Sequence, residues 1–242
     1  MKQFKFLSLP LLAMMSFFFV SCGDGAETTA DEASGDTTVT TTTDAATDAE
    51  TTSGTLMLVR HKVKDYAKWK PVYDAHDSAR LAYGIHNFVI ARGVDDPDMI
   101  FIATKVDDVE KAKAFGKSES LKNAMEAGGV VGEPKVMIAT VPFLKTTPNQ
   151  DIRAMSFFTV KDYDAWKTSF ESGKQFRLDN GLDDRAYGHD VDDNHKVTYV
   201  GTVSYSAKVR AYHRSDSLKQ RLKDAGVAGT VDRFWYRVVA TY

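Results

Sequence analysis

The stretch VKDYAKWK (residues 63–70) decides the fold, because the chain writes it again 97 residues later as VKDYDAWK (residues 160–167). The same offset, held without a gap, aligns Arg80 with Arg177 and Gly84 with Gly181. Of the 70 positions in residues 63–132, 22 are identical to their counterparts. A repeat of this length predicts two copies of one structural unit that fold against each other.

Each copy has the pattern of four strands and several helical segments. In the first copy, residues 56–63 read as a strand and Asp65 follows at a helix N-cap position. Aromatic and basic residues then recur every three or four positions as far as Tyr83, which predicts one helix ended by Gly84. Further strands are predicted at residues 86–92, 99–106 and 135–143, with helical segments at 109–115 and 118–127. The counterparts in the second copy are strands at 185–189, 197–203 and 232–241.

This order is β-α-β-β-α-β, the ferredoxin-like arrangement. Large apolar residues occupy both faces of the strands at residues 99–103 and 234–238, so each sheet must bury both faces. The predicted fold class is therefore α+β. Two ferredoxin-like repeats, residues 55–147 and 148–242, pack sheet to sheet as a pseudo-dimeric α/β barrel within one chain, and we expect a monomer.

The first 21 residues have the pattern of a signal peptide. Lys2 and Lys5 precede an apolar run over residues 6–20, which is too short for a comfortable membrane span. The run ends at Cys22, the only cysteine, and resembles the lipobox of bacterial lipoproteins. The resemblance implies cleavage before Cys22 and acylation of that residue, for example with palmitate, to form a membrane anchor. The alternative is an ordinary secretory peptide followed by a chance thiol.

A lipid anchor would place the protein in the bacterial cell envelope. Gly23 after the cysteine favours the outer membrane over the inner membrane, by a sorting rule that differs between phyla. Residues 22–54 hold eleven Thr and eight acidic residues but no Lys, Arg, Pro or aromatic residue, which predicts a disordered tether.

The charge balance gives no support for nucleic-acid binding. The chain has a formal net charge of −2, and the first 54 residues hold two lysines and eight acids, which leaves about +4 on the remaining residues. That surplus is mild and dispersed, so no nucleic-acid partner is predicted.

The repeated motif resembles the dimeric α/β-barrel superfamily, and within it the antibiotic-biosynthesis-monooxygenase-like (ABM-like) domains. The matching pieces are VxDYxxWK, Arg80, Gly84, the DDP turn at 95–97 and residues 115–132, and the resemblance covers nearly all of both copies. Relatives usually build the barrel from two chains. The resemblance implies binding of a small apolar or aromatic molecule and a cofactor-independent monooxygenase-like activity. Haem degradation, also found in the family, would need a haem-sized cavity, which the additional aromatic residues of the second copy argue against.

Three histidines of the first copy are candidates for chemistry. His61 shares the strand face of Val59 and Val63, and its counterpart is Phe158, so a flat and mostly apolar group suits that place. His61 is the candidate catalytic residue, as a hydrogen-bond partner or base in a pocket; the alternative is a structural histidine. His76 and His86 lie on other elements, and no HExxH-type spacing exists, so no metal site is predicted.

A hollow barrel would take its polar contacts and its walls from positions where the copies differ. The candidate ligand-binding residues are Arg60, His86, Arg92 and Lys105 for polarity, and Tyr187, Tyr199, Trp235 and Tyr236 for the walls. The alternative is that the aromatic side chains fill the barrel, which would make the protein a non-catalytic structural or interaction module.

Several matched residues are predicted to serve the fold. Trp69 and Trp166 occur in both copies, on the helix face that must cover the sheet. Arg80 and Arg177 are expected to lay their stems over aromatic rings and to pair with a carboxylate. The candidate partners are Asp95 or Asp96 in the first copy and Asp192 or Asp193 in the second.

Overall fold

The computed structural model describes residues 50–146 and 152–242. The first copy contains β1 (Glu50–Val63), α1 (Tyr66–Ala75), α2 (Asp77–Leu81), β2 (Ile85–Gly93), β3 (Met99–Val106), α3 (Val109–Phe115), α4 (Glu119–Ala127) and β4 (Val130–Thr146). The second copy contains β5 (Ile152–Val160), α5 (Tyr163–Ser172), α6 (Lys174–Asp179), β6 (Leu182–Asp190), β7 (Lys196–Val203), α7 (Ser206–Arg214), α8 (Asp216–Asp224) and β8 (Val227–Thr241). The two copies therefore have the same order of elements, as predicted.

The eight strands form one closed antiparallel barrel in the order β1-β3-β2-β8-β5-β7-β6-β4. Each copy supplies four neighbouring strands. The two half-barrels join where β2 pairs with β8 and where β4 pairs with β6, and these two junctions are equivalent under the offset of the repeat. The predicted pseudo-dimeric barrel is confirmed, and backbone hydrogen bonds join the two sheets at their edges.

The inner strand faces of both copies share one core. Leu58 and Phe101 from the first copy meet Met155 and Tyr236 from the second inside the barrel. The outer faces carry separate apolar clusters beneath the helices. Trp69 and Trp166 anchor these clusters with only 4% and 2% of their surface exposed, which confirms their predicted place in the core.

Helix starts and stops follow the sequence signals. Asp65 accepts hydrogen bonds from the backbone N–H groups of Ala67 and Lys68, and Asp162 caps α5 in the same way. Gly84 and Gly181 adopt φ angles of 67° and 85° after their helices, a left-handed conformation that glycine adopts without steric strain.

The single helix predicted between Asp65 and Gly84 is wrong, because it breaks at His76 into α1 and α2. The second copy breaks at Gly173. In both copies the arginine after the break binds a carbonyl of the last turn before it. Arg80 Nη1 donates to the Tyr73 carbonyl at 2.8 Å, and Arg177 Nη1 donates to the Phe170 carbonyl at 2.6 Å. The regular spacing of the stripe hid the break, since two short helices in series keep nearly the same face.

Two predicted boundaries also shift. β1 begins at Glu50, so residues 50–54 extend the strand and are not part of a tether; Glu50 pairs with Thr146 at the end of β4. β4 runs from Val130 to Thr146, beyond both ends of the strand predicted at residues 135–143. The predicted signal peptide, Cys22 and the rest of the tether lie outside the described residues. Within the described residues, none of the helices has the length and apolar character required to cross a membrane.

Candidate functional site

A cavity of about 650 Å³ lies between the outer face of the first-copy sheet and helices α1, α3 and α4. We call it the first-copy pocket. Its walls are mostly apolar, with Met57 and Ile102 from the strands and Val72, Phe115 and Leu121 from the helices. The volume lies within the range of about 300–1,000 Å³ that is typical of small-molecule sites.

His61 lines this pocket from the floor of the sheet. It is 6% exposed, and neither ring nitrogen has a hydrogen-bond partner among the described residues. Burial lowers the pKa of His61 to about 4, so the imidazole is neutral near pH 7. A neutral imidazole holds one donor and one acceptor, and a buried polar group without a partner is uncommon in a folded protein.

Arg80 lines the same pocket and is also deeply buried. Its guanidinium lies 3.8 Å from the centre of the Tyr73 ring, and Nη2 donates to Asp77 at 3.1 Å. Nε has no partner among the described residues. The predicted structural role over aromatic residues is correct, but the carboxylate partner is Asp77 and not Asp95 or Asp96.

Arg177 differs from Arg80 in its partner. Asp184 binds Arg177 through both oxygens, at 2.7 Å from Nε and 2.6 Å from Nη2, and also accepts a hydrogen bond from Tyr199. The predicted partners Asp192 and Asp193 are wrong, because the carboxylate comes from the neighbouring strand β6. In the first copy Asn87 occupies the position equivalent to Asp184, so β2 supplies no carboxylate to Arg80 from that position.

The equivalent cavity in the second copy is much smaller, at about 220 Å³. Large side chains occupy it where the first copy has small ones: Phe176, His213, Arg221 and Arg233 stand at the positions of Ala79, Gly116, Ala124 and Val136. The Arg221 guanidinium stacks on the Phe176 ring at 3.7 Å. The small residues that open the first-copy pocket were not among the candidates. The alignment of the two repeats contains this difference, because small residues of the first copy align with large residues of the second.

The barrel interior holds a separate cavity of about 270 Å³, which we call the barrel cavity. Tyr187 and Tyr236 line it, together with the buried Arg153 and Arg185. The other end of the barrel is closed around Arg60, which pairs with Asp232 and lies over the Phe157 and Phe234 rings. The aromatic residues of the second copy therefore do not act together: Tyr236 is inside, whereas Trp235 packs outside against His213.

The structure does not gather the predicted ligand-binding residues into one site. His86 is exposed and bonds Asp107 at 2.7 Å, and Arg92 lies over the Tyr66 ring at 4.4 Å. Lys105 is exposed beside Phe88, and Tyr199 belongs to the Arg177 cluster. Of the candidate catalytic and ligand-binding residues, only His61 lines the first-copy pocket. Sheet parity explains the dispersal, because neighbouring residues of a strand point to opposite faces.

The histidines of the first copy have different surroundings. His76 also lines the first-copy pocket, where its ring bonds Ser120 at 2.7 Å, whereas His86 bonds Asp107 and does not line the pocket. Among residues 50–146 and 152–242, His, Cys, Asp and Glu side chains form no cluster of three that could hold a metal ion.

Comparison with known proteins identifies the fold and nothing finer. No family model matches the chain. No curated protein matches it either. An anthrone oxidase-like protein of known structure aligns with a TM-score of 0.53 and 15% identity, over 80% of this chain and 96% of that one.

Two further solved structures are similar. A protein from Fusobacterium nucleatum, provisionally assigned as a monooxygenase, aligns with a TM-score of 0.50 and 12% identity, over 77% of this chain and 92% of that one. A haem-binding protein from Thermus thermophilus aligns at 0.49 and 9% identity, over 79% and 93% of the two chains, and at that score the likeness has no weight. The chain therefore has the dimeric α/β-barrel fold, with both ferredoxin-like halves supplied by one polypeptide.

Proposed function

We propose that the protein binds a small, mainly apolar or aromatic molecule in the first-copy pocket, with His61 as its polar contact. One observation carries the proposal: a buried, neutral imidazole without a hydrogen-bond partner lines an apolar pocket of about 650 Å³. A bound hydroxyl or carbonyl group would satisfy the imidazole, while the surrounding side chains would bury the rest of the ligand.

We further propose cofactor-independent oxidation as the reaction of this site, on the strength of the resemblance to ABM-like domains. The neutral His61 would accept a proton from the hydroxyl or activated carbon of an electron-rich aromatic substrate, which would then react with oxygen. With an anthrone as substrate, one O₂ is consumed, the ring carbon becomes a carbonyl and one water is released. Atoms and electrons balance without a cofactor.

The alternative is a non-catalytic structural or interaction module with a filled barrel. The interior does pack tightly at the Arg60–Asp232 end, and the barrel cavity is below the usual size of a ligand site. The first-copy pocket lies outside the barrel, however, so a filled barrel does not argue against a ligand there.

The binding proposal is tested by filling the pocket with side chains that the second copy already accommodates. The double variant Ala79→Phe/Ala124→Arg recreates the Phe176–Arg221 stack and should abolish binding of small aromatic probes without unfolding the protein. His61→Phe, which introduces the residue found at position 158, should weaken probes that carry a hydroxyl or carbonyl by about tenfold and leave purely apolar probes unchanged.

Titration calorimetry with an anthrone, a naphthol and naphthalene would measure these effects. Equal affinities for the wild type and the filled variant would refute the site. Haemin belongs among the probes, because a neutral imidazole beside such a pocket would be able to bind its iron. A Soret shift that His61→Phe abolishes would replace the aromatic molecule proposed here with a haem.

The oxidation proposal is tested by oxygen uptake. Purified protein without added metal should consume one O₂ per anthrone oxidised, and the filled variant should fall to the uncatalysed rate. If binding is retained but the rate equals that of buffer alone, the protein is a binding module and not an enzyme.

We also propose that Cys22 is acylated and anchors the domain to a bacterial envelope membrane, more specifically the outer membrane. The support is the sequence pattern of residues 1–22. Mass spectrometry of the mature protein should find a lipid-modified Cys22, and Cys22→Ser should release the protein from the membrane fraction. An unmodified cysteine in mature protein would contradict the anchor.

A further inference from the structure

The cavity of about 220 Å³ beneath helices α5 to α8, which we call the second-copy pocket, carries positive charge at positions that are apolar in the first copy. Arg221 and Arg233 line it, at the positions held by Ala124 and Val136. The exchange that makes this pocket smaller than its counterpart therefore also gives it two guanidinium groups.

Arg233 lines the pocket from strand β8. Its Nε atom is buried and has no hydrogen-bond partner among residues 50–146 and 152–242. Burial lowers the pKa of Arg233, although a guanidinium stays charged near pH 7. A buried cation with an unused donor is stabilised by an anionic acceptor placed beside it.

Arg221 reaches the pocket from α8 and stacks on the Phe176 ring, with its guanidinium 3.7 Å from the ring centre. In the described part of the chain, neither Arg221 nor Arg233 forms an ion pair with a carboxylate. The third arginine of the pocket, Arg177, is different, because Asp184 already binds it through both oxygens. The cations available to a ligand are therefore Arg221 and Arg233.

The Tyr212 hydroxyl lies among these charges. Burial raises the pKa of Tyr212, and the charges of Arg177, Arg221 and Arg233 counteract that rise, so all three guanidinium groups are near the hydroxyl. Burial and neighbouring arginine charges lower the pKa of His213, which also lines the pocket, to about 4, so it is neutral near pH 7. The pocket thus combines two available cations with a neutral hydroxyl donor.

The negative charge around the pocket does not balance the arginines. Asp224, the one acidic side chain among the described lining residues, is exposed and accepts a hydrogen bond from Gln220 at 2.7 Å. Asp184 lies against Arg177. Three arginines therefore face two carboxylates, which leaves a surplus of one positive charge on the described residues.

We propose that the second-copy pocket is a separate binding site, which takes a small aromatic carboxylate. The carboxylate group binds Arg221 and Arg233, with the Tyr212 hydroxyl as a further donor, and the ring packs among the aromatic side chains of the walls. The volume is below the usual range of about 300–1,000 Å³ for ligand sites, which restricts the ligand to a single ring. The site is independent of the function proposed for the first-copy pocket, with which it shares no lining residue.

Benzoate and benzamide are the probes, because they share a ring and a shape and differ in charge. In calorimetry, benzoate should bind the wild-type protein at least tenfold more tightly than benzamide. Inorganic phosphate should also bind at least tenfold more weakly than benzoate, since it has no ring to pack against the walls.

Leucine-methyl NMR locates the ligand. Benzoate should shift the signals of Leu218 and Leu222, which line the second-copy pocket. It should not shift Leu121, the equivalent of Leu218 in the first-copy pocket, or Leu58, which lines the barrel cavity.

Variants that copy the first-copy pocket test the three contacts. Arg221→Ala and Arg233→Val install the residues found at positions 124 and 136, and each should lower benzoate affinity at least tenfold while benzamide affinity stays the same. Tyr212→Phe installs the residue found at position 115 and should lower benzoate affinity about threefold. Lys219→Ala, which removes an exposed cation from the same helix as Arg221, controls for net charge and should leave both affinities unchanged. If Arg233→Val fails to fold, Arg221→Ala and the comparison of probes on the wild type still decide the proposal.

Four results would overturn the site. Equal affinity for benzoate and benzamide would remove the role of charge, and phosphate binding as tight as benzoate would remove the role of the ring. Shifts at Leu121 or Leu58 without a shift at Leu218 would place the ligand elsewhere. Asp224→Asn should change benzoate affinity less than threefold, and a tenfold gain would mean that Asp224 already neutralises the arginines.

Discussion

The outer pockets of the two copies share a backbone and differ in how they are filled and paired. In the second copy, Phe176, His213 and Arg221 reduce the space beneath the helices to about 220 Å³, and Asp184 binds the buried Arg177. In the first copy, small residues leave about 650 Å³, and the equivalents of Phe158 and Asp184 are His61 and Asn87. The second copy has thus narrowed its pocket with packing and a bidentate buried ion pair, while the first keeps open space beside His61, whose ring nitrogens have no partner among the described residues.

This difference separates the residues that serve the fold from those that distinguish the two pockets. Residues that are matched in both copies, such as Asp65 and Trp69, serve the helix cap and the core in the same way twice. Residues that differ change the free volume and the charge of the two pockets. The proposed binding function therefore rests on the unmatched residues of the first copy.

The largest expected effect comes from breaking the closed ion pair of the second copy. Asp184→Asn should destabilise the fold by about 3–5 kcal/mol, because Arg177 would stay buried without its carboxylate. Denaturant unfolding measures the change. Asp77→Asn is the matched control in the first copy, where the carboxylate is 42% exposed, and should cost about 1 kcal/mol or less. Equal losses for the two variants would mean that the pairs are not as different as their contacts indicate.

Acid should weaken the fold through His61. Its pKa is about 4 in the folded protein against 6.5 when exposed, so the unfolded chain binds a proton first as the pH falls. The free energy of unfolding should therefore fall by about 3 kcal/mol between about pH 6.5 and pH 4 because of this group. Above pH 7, His61 should make no contribution to the pH dependence of stability. His213, whose pKa burial also lowers to about 4, contributes a second loss.

The His61→Phe variant isolates the first-copy part of that loss. Phe158 already packs on Trp166 at 5.6 Å and 59°, against 5.7 Å and 59° for His61 on Trp69, so phenylalanine fits this position. The variant should keep its stability at pH 7 and lose about 3 kcal/mol less than the wild type on going to pH 4. Parallel pH profiles of the two proteins would show that His61 does not titrate as a buried base.

The smallest effect belongs to a feature that the copies share. Lys113 bonds Asp192 and Arg210 bonds Asp95, both at 2.8 Å, and these equivalent salt bridges link the two copies. Both aspartates are mostly exposed, so Asp192→Ala and Asp95→Ala should each cost below about 1 kcal/mol and less in high salt. A loss of several kcal/mol from either would show that the surface pairs hold the barrel together.

The sequence predicted the architecture well because the fold repeats its local signals. Each local signal occurs in both copies: the cap at Asp65, the glycine at position 84 and the apolar strands. An ambiguous element in one copy can therefore be assigned from its counterpart in the other. The helix break at His76 was not predicted, because two short helices in line have nearly the same hydrophobic spacing as one long helix. The start of β1 at Glu50 was not predicted, because a threonine-rich segment indicates a tether unless its pairing partner on β4 is known.

The candidate site was predicted only in part. The parity of His61 placed it on an apolar face, which is correct, but the sequence does not say which face of a sheet retains a cavity. That depends on the volumes of side chains from four separate elements, such as Ala79 on α2 and Ala124 on α4. Arg153 and Arg185 were missed because basic residues in a strand give no sign of pointing into a barrel.

The most direct test of the central claim is a methionine-methyl NMR titration of the wild-type protein with a naphthol. Met57 and Met125 line the first-copy pocket, and Met155 lines the barrel cavity. The account predicts saturable shifts at Met57 and Met125, no shift at Met155, and loss of both shifts in Ala79→Phe/Ala124→Arg. Shifts at Met155 alone, or shifts that persist in the filled variant, would contradict a functional pocket in the first copy.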